Sequence, residues 1–241
     1  MNITGINLKV VIMDSDYYAL QAINGYLAWD RRTRVTHLAE SLEQMWQELD
    51  RTPEAELPDI VLLDADHVGG PAALREQIER LRQRIENVMV ICLTQFAELD
   101  LVEAAAASHA RGYFLKGEVR SQIAWALVYA LDHDFVVSPG IARLNSFERR
   151  VFNATVLPRQ REYPELTDRI RQAIELCVVK GTPAQVAADE MGISLHTIRS
   201  YIKEGYRILE AYDETEYPTD MSPQERAFMR ITRFADDKSM K

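Results

Sequence analysis

The stretch Pro58–Gly70, PDIVLLDADHVGG, constrains the fold of this chain more than any other. Ile60, Val61, Leu62 and Leu63 run apolar without alternation, the pattern of a strand buried on both faces in the middle of a parallel sheet. Asp64 is then the first residue expected to emerge, at the sheet edge, just before a glycine pair. Ligands of open α/β sheets bind beyond the carboxyl ends of the strands, so Asp64 is a candidate nucleophile or ligand. A lone strand that ends in Asp is more often a capped loop, and the other strand ends decide between the two.

Those ends repeat the pattern. Lys9–Met13 is a strand that runs into Asp14-Ser15-Asp16 and then a helical stretch to about Trp29, with Leu20, Ile23 and Leu27 inward. Arg34–Leu38 is a weaker strand, followed by a helix over Leu42–Leu49; the opening stretch is strand three, followed by a helix over Ala72–Ile85. Val88–Leu93 is a buried strand ending in Thr94, and a helix of small residues, Leu101–Ala107, leads to the short strand Gly112–Leu115, which ends in Lys116; Val119–Leu131 is the last helix. Five strands each followed by a helix predict a parallel sheet with right-handed crossovers and helices on both faces. Asp14, Asp64, Thr94 and Lys116 then meet at corresponding strand ends and form a site.

Residues 8 to about 133 resemble the receiver domain of two-component response regulators. The resemblance implies an α/β flavodoxin-like fold with a five-stranded parallel sheet of order 2-1-3-4-5, and a sensor histidine kinase as partner. It implies Asp64 as phosphoacceptor, Thr94 as the family's hydroxyl, Lys116 as its lysine, Tyr113 as its switch aromatic, and Asp14 with Asp64 as ligands of Mg²⁺. The chemistry explains those residue types. A carboxylate attacking a phosphoryl group approaches like charge, which a divalent cation on nearby carboxylates neutralises. Lys116 would pair with a phosphoryl oxygen and Thr94 would donate to another, vacating space for Tyr113. One departure matters: the second acid of the family's pair is Ser15 here, which weakens any metal site, while Asp16 is expected to point away from Asp64.

Farther on, Phe135–Arg143 resembles the segment that follows the receiver in LuxR-type regulators. Leu166–Val179 is a helix ended by Lys180-Gly181; Thr182 is a candidate cap, with Pro183 at the first helical position and Val186, Ala187 and Met191 inward, before a turn at Gly192. Ser194 caps another helix, whose Ile198, Ile202, Tyr206 and Leu209 are apolar. A tight glycine turn between two helices is the helix-turn-helix arrangement. On its second helix His196, Arg199, Ser200 and Lys203 share one polar face at spacings of three and four, which in a major groove meets base edges and phosphates. For an isolated helix pair, plain solvated surface is an equal reading. The wording from Leu166 to Leu209 resembles the LuxR-type DNA-binding domain, which adds Thr197 to that face and implies DNA and RNA polymerase as partners and a homodimer. It also resembles the promoter-reading region of sigma factors. Two departures are a turn after Gly181 that is one residue short and Gly205 in the recognition helix, where a close backbone contact would account for it.

The chain thus divides into a receiver over residues 1–140, a linker over 141–163, the helix-turn-helix domain over 164–212, and an extension over 213–241. Ser222-Pro223-Gln224-Glu225 starts a helix in that extension as a capping box, and its stripe of Phe228, Ile231 and Ala235, with Phe234 beside it, covers either the chain's own core or a second copy. Self-association is the expectation.

Charge does not advertise a nucleic-acid ligand. Of the net −9, residues 1–158 hold 22 acids against 15 bases, whereas residues 159–212 hold eight of each, so DNA binding rests on local placement. Cys92 and Cys177 show no paired spacing, which suits a reduced compartment, and five scattered histidines show no metal-ligand spacing. No signal peptide or membrane span is expected, so the location read from the sequence is cytoplasmic. The chain is read as a transcription regulator and not an enzyme. Two other classes compete: a haloacid dehalogenase-like phosphatase, with Asp64-Ala65-Asp66 as its nucleophile motif, and a receiver-coupled module that binds a protein partner.

Overall fold

Unbroken apolar runs form the centre of the sheet in the computed structural model, which describes residues 6–144, 153–213, 215 and 217–235. The strands are β1 (Leu8–Met13), β2 (Thr33–Ala39), β3 (Ile60–Asp64), β4 (Met89–Thr94), β5 (Gly112–Leu115), β6 (Val136–Val137) and β7 (Thr155–Val156). All pair in parallel, in the order β2-β1-β3-β4-β5-β6-β7. The first five strands keep the expected order. The two extra strands are two residues each, too short to carry a legible period. Residues 145–152, within the expected linker, lie outside the described residues.

Helices α1 (Tyr17–Ala28), α2 (Leu42–Arg51), α3 (Pro71–Arg84) and α4 (Leu99–Ala107) connect successive strands. After β5 the chain makes a short turn of helix, α5 (Lys116–Val119), then α6 (Ile123–Ala130) and α7 (Pro139–Ala142). The single helix expected over Val119–Leu131 is therefore broken, at Arg120, whose φ of 33° leaves the helical region. Helix α6 is apolar all round, and Ile123 through Val128 are buried. Arg32 reaches it from the turn before β2: its guanidinium lies 3.8 Å from the Trp125 ring centre and forks onto Asp30 at 2.9 and 2.6 Å.

By contact the chain falls into two units, Ile6–Leu157 and the unit from Pro158 onward. The second contains α8 (Asp168–Ile174), α9 (Ala184–Met191), α10 (Leu195–Ala211) and α11 (Pro223–Ile231). Helix α8 runs on into a π-helical turn, Glu175–Val179, before Gly181 at φ 66°. Ser194 caps α10 as expected, accepting from Thr197 N–H, and Gly192 makes the turn in the left-handed region at φ 64°. Two expectations fail at α9. Pro183 itself stands at the cap position, so Thr182 does not cap, and Val186 is 54% exposed while Ala187, Ala188 and Met191 form the buried face.

The extension is core, not a free stripe. Ala227, Phe228, Met229 and Ile231 of α11 are buried against α10 and the π-turn, which corrects the expectation that this stripe drives self-association. The chain after it returns beside Gln160: Arg161 N–H donates to Arg233 O at 2.9 Å, and Ala235 N–H to Arg159 O at 2.8 Å. Tyr163 is fully buried and donates to Arg230 O at 2.6 Å. Residues 158–163, with the charge run of a linker, are thus part of this unit.

Candidate functional site

The parallel register brings β1, β3 and β5 to one sheet edge with their final residues together, because β3 lies beside β1 and two strands from β5. Asp14 follows β1, Asp64 ends β3, and Lys116 follows β5. The Lys116 ammonium lies between the carboxylates, 2.7 Å from Asp14 Oδ2 and 3.0 Å from Asp64 Oδ1. Asp64 does not emerge from the sheet as expected: β3 is buried along its length and Asp64 is 0% exposed.

Two further residues complete the surroundings of Asp64. Ser15 Oγ donates to Asp64 Oδ2 at 3.0 Å, and its backbone N–H lies 3.4 Å from the same oxygen. His67 Nδ1 is 2.7 Å from Asp64 Oδ2, carried back by the turn Ala65–His67. Burial works to raise the Asp64 pKa, yet Lys116, His67 and Ser15 together hold it below the ordinary carboxylate value. Asp14 goes the other way: burial outweighs Lys116 and raises it. Lys116, between the two, is raised by its carboxylate partners against the opposing effect of burial.

Thr94 stands at the end of β4 but does not face Asp64. Its Oγ lies against Asp66 Oδ1 and 2.6 Å from Phe96 O, while Gln95 N–H donates to Asp66 Oδ2 at 2.6 Å. Asp66 thereby ties the end of β3 to the loop after β4, which removes the acid a phosphatase of the competing class would need free. Tyr113 is wholly buried, and burial raises its phenol pKa. Asp16 also has a structural task, since its carboxylate caps α1 by accepting from Tyr18 N–H at 2.9 Å and Ala19 N–H at 3.3 Å. It is therefore not turned toward Asp64, in line with the sequence.

These residues suit a hard divalent cation poorly. Mg²⁺ wants octahedral oxygen ligands and gives up its waters reluctantly. Here two carboxylates share one ammonium, and a hydroxyl and an imidazole occupy the remaining oxygen of Asp64. Among the described residues no group of three or more His, Cys, Asp or Glu side chains is placed to hold a metal ion. His67 was missed in the sequence because its approach depends on a tight turn after β3. The only available signal was its spacing of three from Asp64.

In the second unit, His196, Arg199, Ser200 and Lys203 are all exposed on α10, while Thr197 is half-buried and its Oγ lies 2.8 Å from Ser194 Oγ. Thr197 is thus part of the helix cap as well as a neighbour of the polar face. The opposite face holds α10 in place, with Ile198, Ile208 and Leu209 buried. Gly205 is buried too, and a Cβ there would come 2.6 Å from Ile174 Cδ1 and Cγ1. This is the close backbone approach its presence suggested. Among the described residues no helix is long and apolar enough to cross a membrane.

Comparison with known proteins shows that the chain is similar to regulators. No family model matches the chain. It is 24% identical over 218 residues to the response regulator protein VraR of Staphylococcus saprophyticus, covering 87% of this chain and 93% of that one. It is 27% identical over 218 residues to the transcriptional regulatory protein YdfI of Bacillus subtilis, covering 88% and 87% respectively. The transcriptional activator protein ExaE of Pseudomonas putida is 28% identical over 165 residues, 62% of this chain and 67% of that one. Among solved structures, the RcsB response regulator of Salmonella typhimurium, studied for its conformational dynamism in DNA interaction, shares the fold with a TM-score of 0.50 at 17% identity, covering 90% of this chain and 95% of that one.

Proposed function

We propose, from the premise that the chain is a homologue of response regulators along most of its length, that it is a DNA-binding transcriptional regulator whose receiver controls a helix-turn-helix output. The receiver lies within residues 6–157 and the output within residues 158–235. The observation that carries the reading is the exposed polar face of α10, His196, Arg199, Ser200 and Lys203, on the second helix of a tight-turn pair. Such a helix fits the major groove, where Arg199 can fork onto a guanine and Lys203 can act as a point charge on phosphate. Binding as a homodimer to two half-sites suits this geometry. DNA and RNA polymerase are its partners in the cytoplasm, and a sensor histidine kinase is the source of phosphoryl groups.

Asp64 is the phosphoacceptor in this reading. One carboxylate oxygen attacks phosphorus; the new O–P bond forms as the bond to the donor's nitrogen breaks, and that electron pair leaves with the donor. Lys116 pairs with the phosphoryl oxygens, and Thr94 supplies a hydrogen bond once it turns from Asp66. The chain catalyses at most this modification of itself. No step is assigned to Mg²⁺, which the residues around Asp64 do not fit.

The test is the affinity of the full chain for promoter fragments, read by fluorescence anisotropy across a salt series. The logarithm of the binding constant should fall linearly with the logarithm of salt concentration. Absence of salt-dependent binding on any fragment would overturn the reading and favour an output domain that engages a protein.

A further inference from the structure

We propose that His67 is a gate on Asp64: with Ser15 it saturates Oδ2 of the carboxylate, and it holds that oxygen closed to metal and phosphoryl group alike. The inference rests on Asp64 being the phosphoacceptor. An ionised carboxylate offers about four lone-pair positions on its two oxygens. Asp64 meets four donors: Lys116 Nζ at 3.0 Å, Ser15 Oγ at 3.0 Å, Ser15 N–H at 3.4 Å and His67 Nδ1 at 2.7 Å. A carboxylate held ionised has no proton to give, so His67 Nδ1 carries the hydrogen in this contact. Three of these donors converge on Oδ2, so that oxygen has no lone pair left for a cation or for attack on phosphorus, while Oδ1 accepts from Lys116 alone.

The placement of His67 makes it the movable member of the set. Its side chain is 57% exposed while that of Asp64 is 0% exposed, so the imidazole stands between the carboxylate and solvent. Lys116 is nearly buried and held by Asp14 as well. Next to the imidazole, Val68 is buried, and Gly69 and Gly70 take φ of 97° and 96°, which returns the chain to α3. His67 can therefore leave Asp64 by rotating its own side chain, with the turn intact. Ser15 reinforces the closure, since it donates to Asp64 where a carboxylate would repel it and add a ligand for a cation.

The experiment compares the full chain with His67→Ala, Ser15→Asp and the double variant, using Asp64→Asn as the control. Mn²⁺ binding is followed by electron paramagnetic resonance, and labelling by acetyl phosphate is followed by intact mass. A hydrogen bond to a charged group contributes roughly 1.5–3 kcal/mol, so opening the gate should speed labelling roughly tenfold or more. The expected result is weak Mn²⁺ binding and slow labelling in the wild type, faster labelling in His67→Ala, and both Mn²⁺ binding and fastest labelling in the double variant. Wild-type metal binding and labelling equal to those of the double variant would overturn the gate. So would a double variant that neither binds metal nor labels. Labelling that persists in Asp64→Asn would instead remove Asp64 as acceptor, and salt-dependent DNA binding reports separately on the output domain.

Discussion

Gly205 occupies a place on α10 where a side chain would strike Ile174, with Cγ1 and Cδ1 of that residue 2.6 Å from the position of a Cβ. The glycine lets the Ile174 side chain of α8 lie directly against the backbone of α10. Its helix penalty relative to Ala is about 1 kcal/mol, whereas overpacking a filled core costs typically about 1–3 kcal/mol. Gly205→Ala is therefore expected to be between neutral and about 2 kcal/mol destabilising, the helix gain offsetting only part of the displacement of Ile174. Gly205→Leu should destabilise the second unit by about 2 kcal/mol or more. The three tryptophans, Trp29, Trp46 and Trp125, all lie in the first unit, so urea unfolding by tryptophan fluorescence should be unchanged while far-ultraviolet circular dichroism gains an early transition.

The tail helix is expected to behave as core. Phe228 is 1% exposed, and Phe→Ala at such a site costs about 3–5 kcal/mol. Phe228→Ala should unfold the second unit and abolish DNA binding, with tryptophan fluorescence of the first unit preserved. A variant that keeps its helical circular dichroism and loses only its dimer fraction in sedimentation would return this helix to an interface.

Acid should weaken the second unit through Asp213. Burial acts to raise its pKa, but Thr215, Tyr217 and Arg233, with Arg233 Nη1 at 2.7 Å, outweigh burial and depress it. A depressed carboxylate contributes stability above its unfolded pKa and loses it as pH falls through the folded value. Stability of this unit should hold at neutral pH and decline progressively below about pH 4. Asp213→Asn should be less stable at neutral pH, because Arg230 and Arg233 lose their shared counter-charge, and its stability should vary less with acid. Chemical denaturation at several pH values checks both.

Arg199 and Lys203 should separate in function, being one turn apart on the exposed face of α10. Arg199→Ala is expected to flatten sequence preference, at a cost of about 1–3 kcal/mol on the best site, while Lys203→Ala weakens all DNA alike and lowers the salt slope by about one. Anisotropy titrations on promoter and random duplexes measure the two effects. Unchanged binding in both variants would take α10 out of the groove.

The sequence by itself determined the five-strand parallel pattern and the placing of Asp14, Asp64 and Lys116 at corresponding strand ends, while the order of the strands came from the resemblance to receiver domains. Runs such as Ile60–Leu63 tolerate only a doubly covered parallel strand, and the crossover rule leaves few ways to connect such strands. Ser194, Gly192 and the Ser222–Glu225 capping box were legible for a similar reason, since each does local chemistry within a few residues. Only the tertiary structure decided which side chains spend their hydrogen bonds on one another. It directs Thr94 to Asp66, turns His67 onto Asp64, seats Tyr163 under Arg230, and buries Phe228 within the chain. These pairings join groups by direction across turns or between distant segments, and hydrophobic periodicity carries no information about direction. For the same reason Val186 has the residue type of a core position and the place of a surface one: which face of a short helix is buried depends on where its neighbours pack.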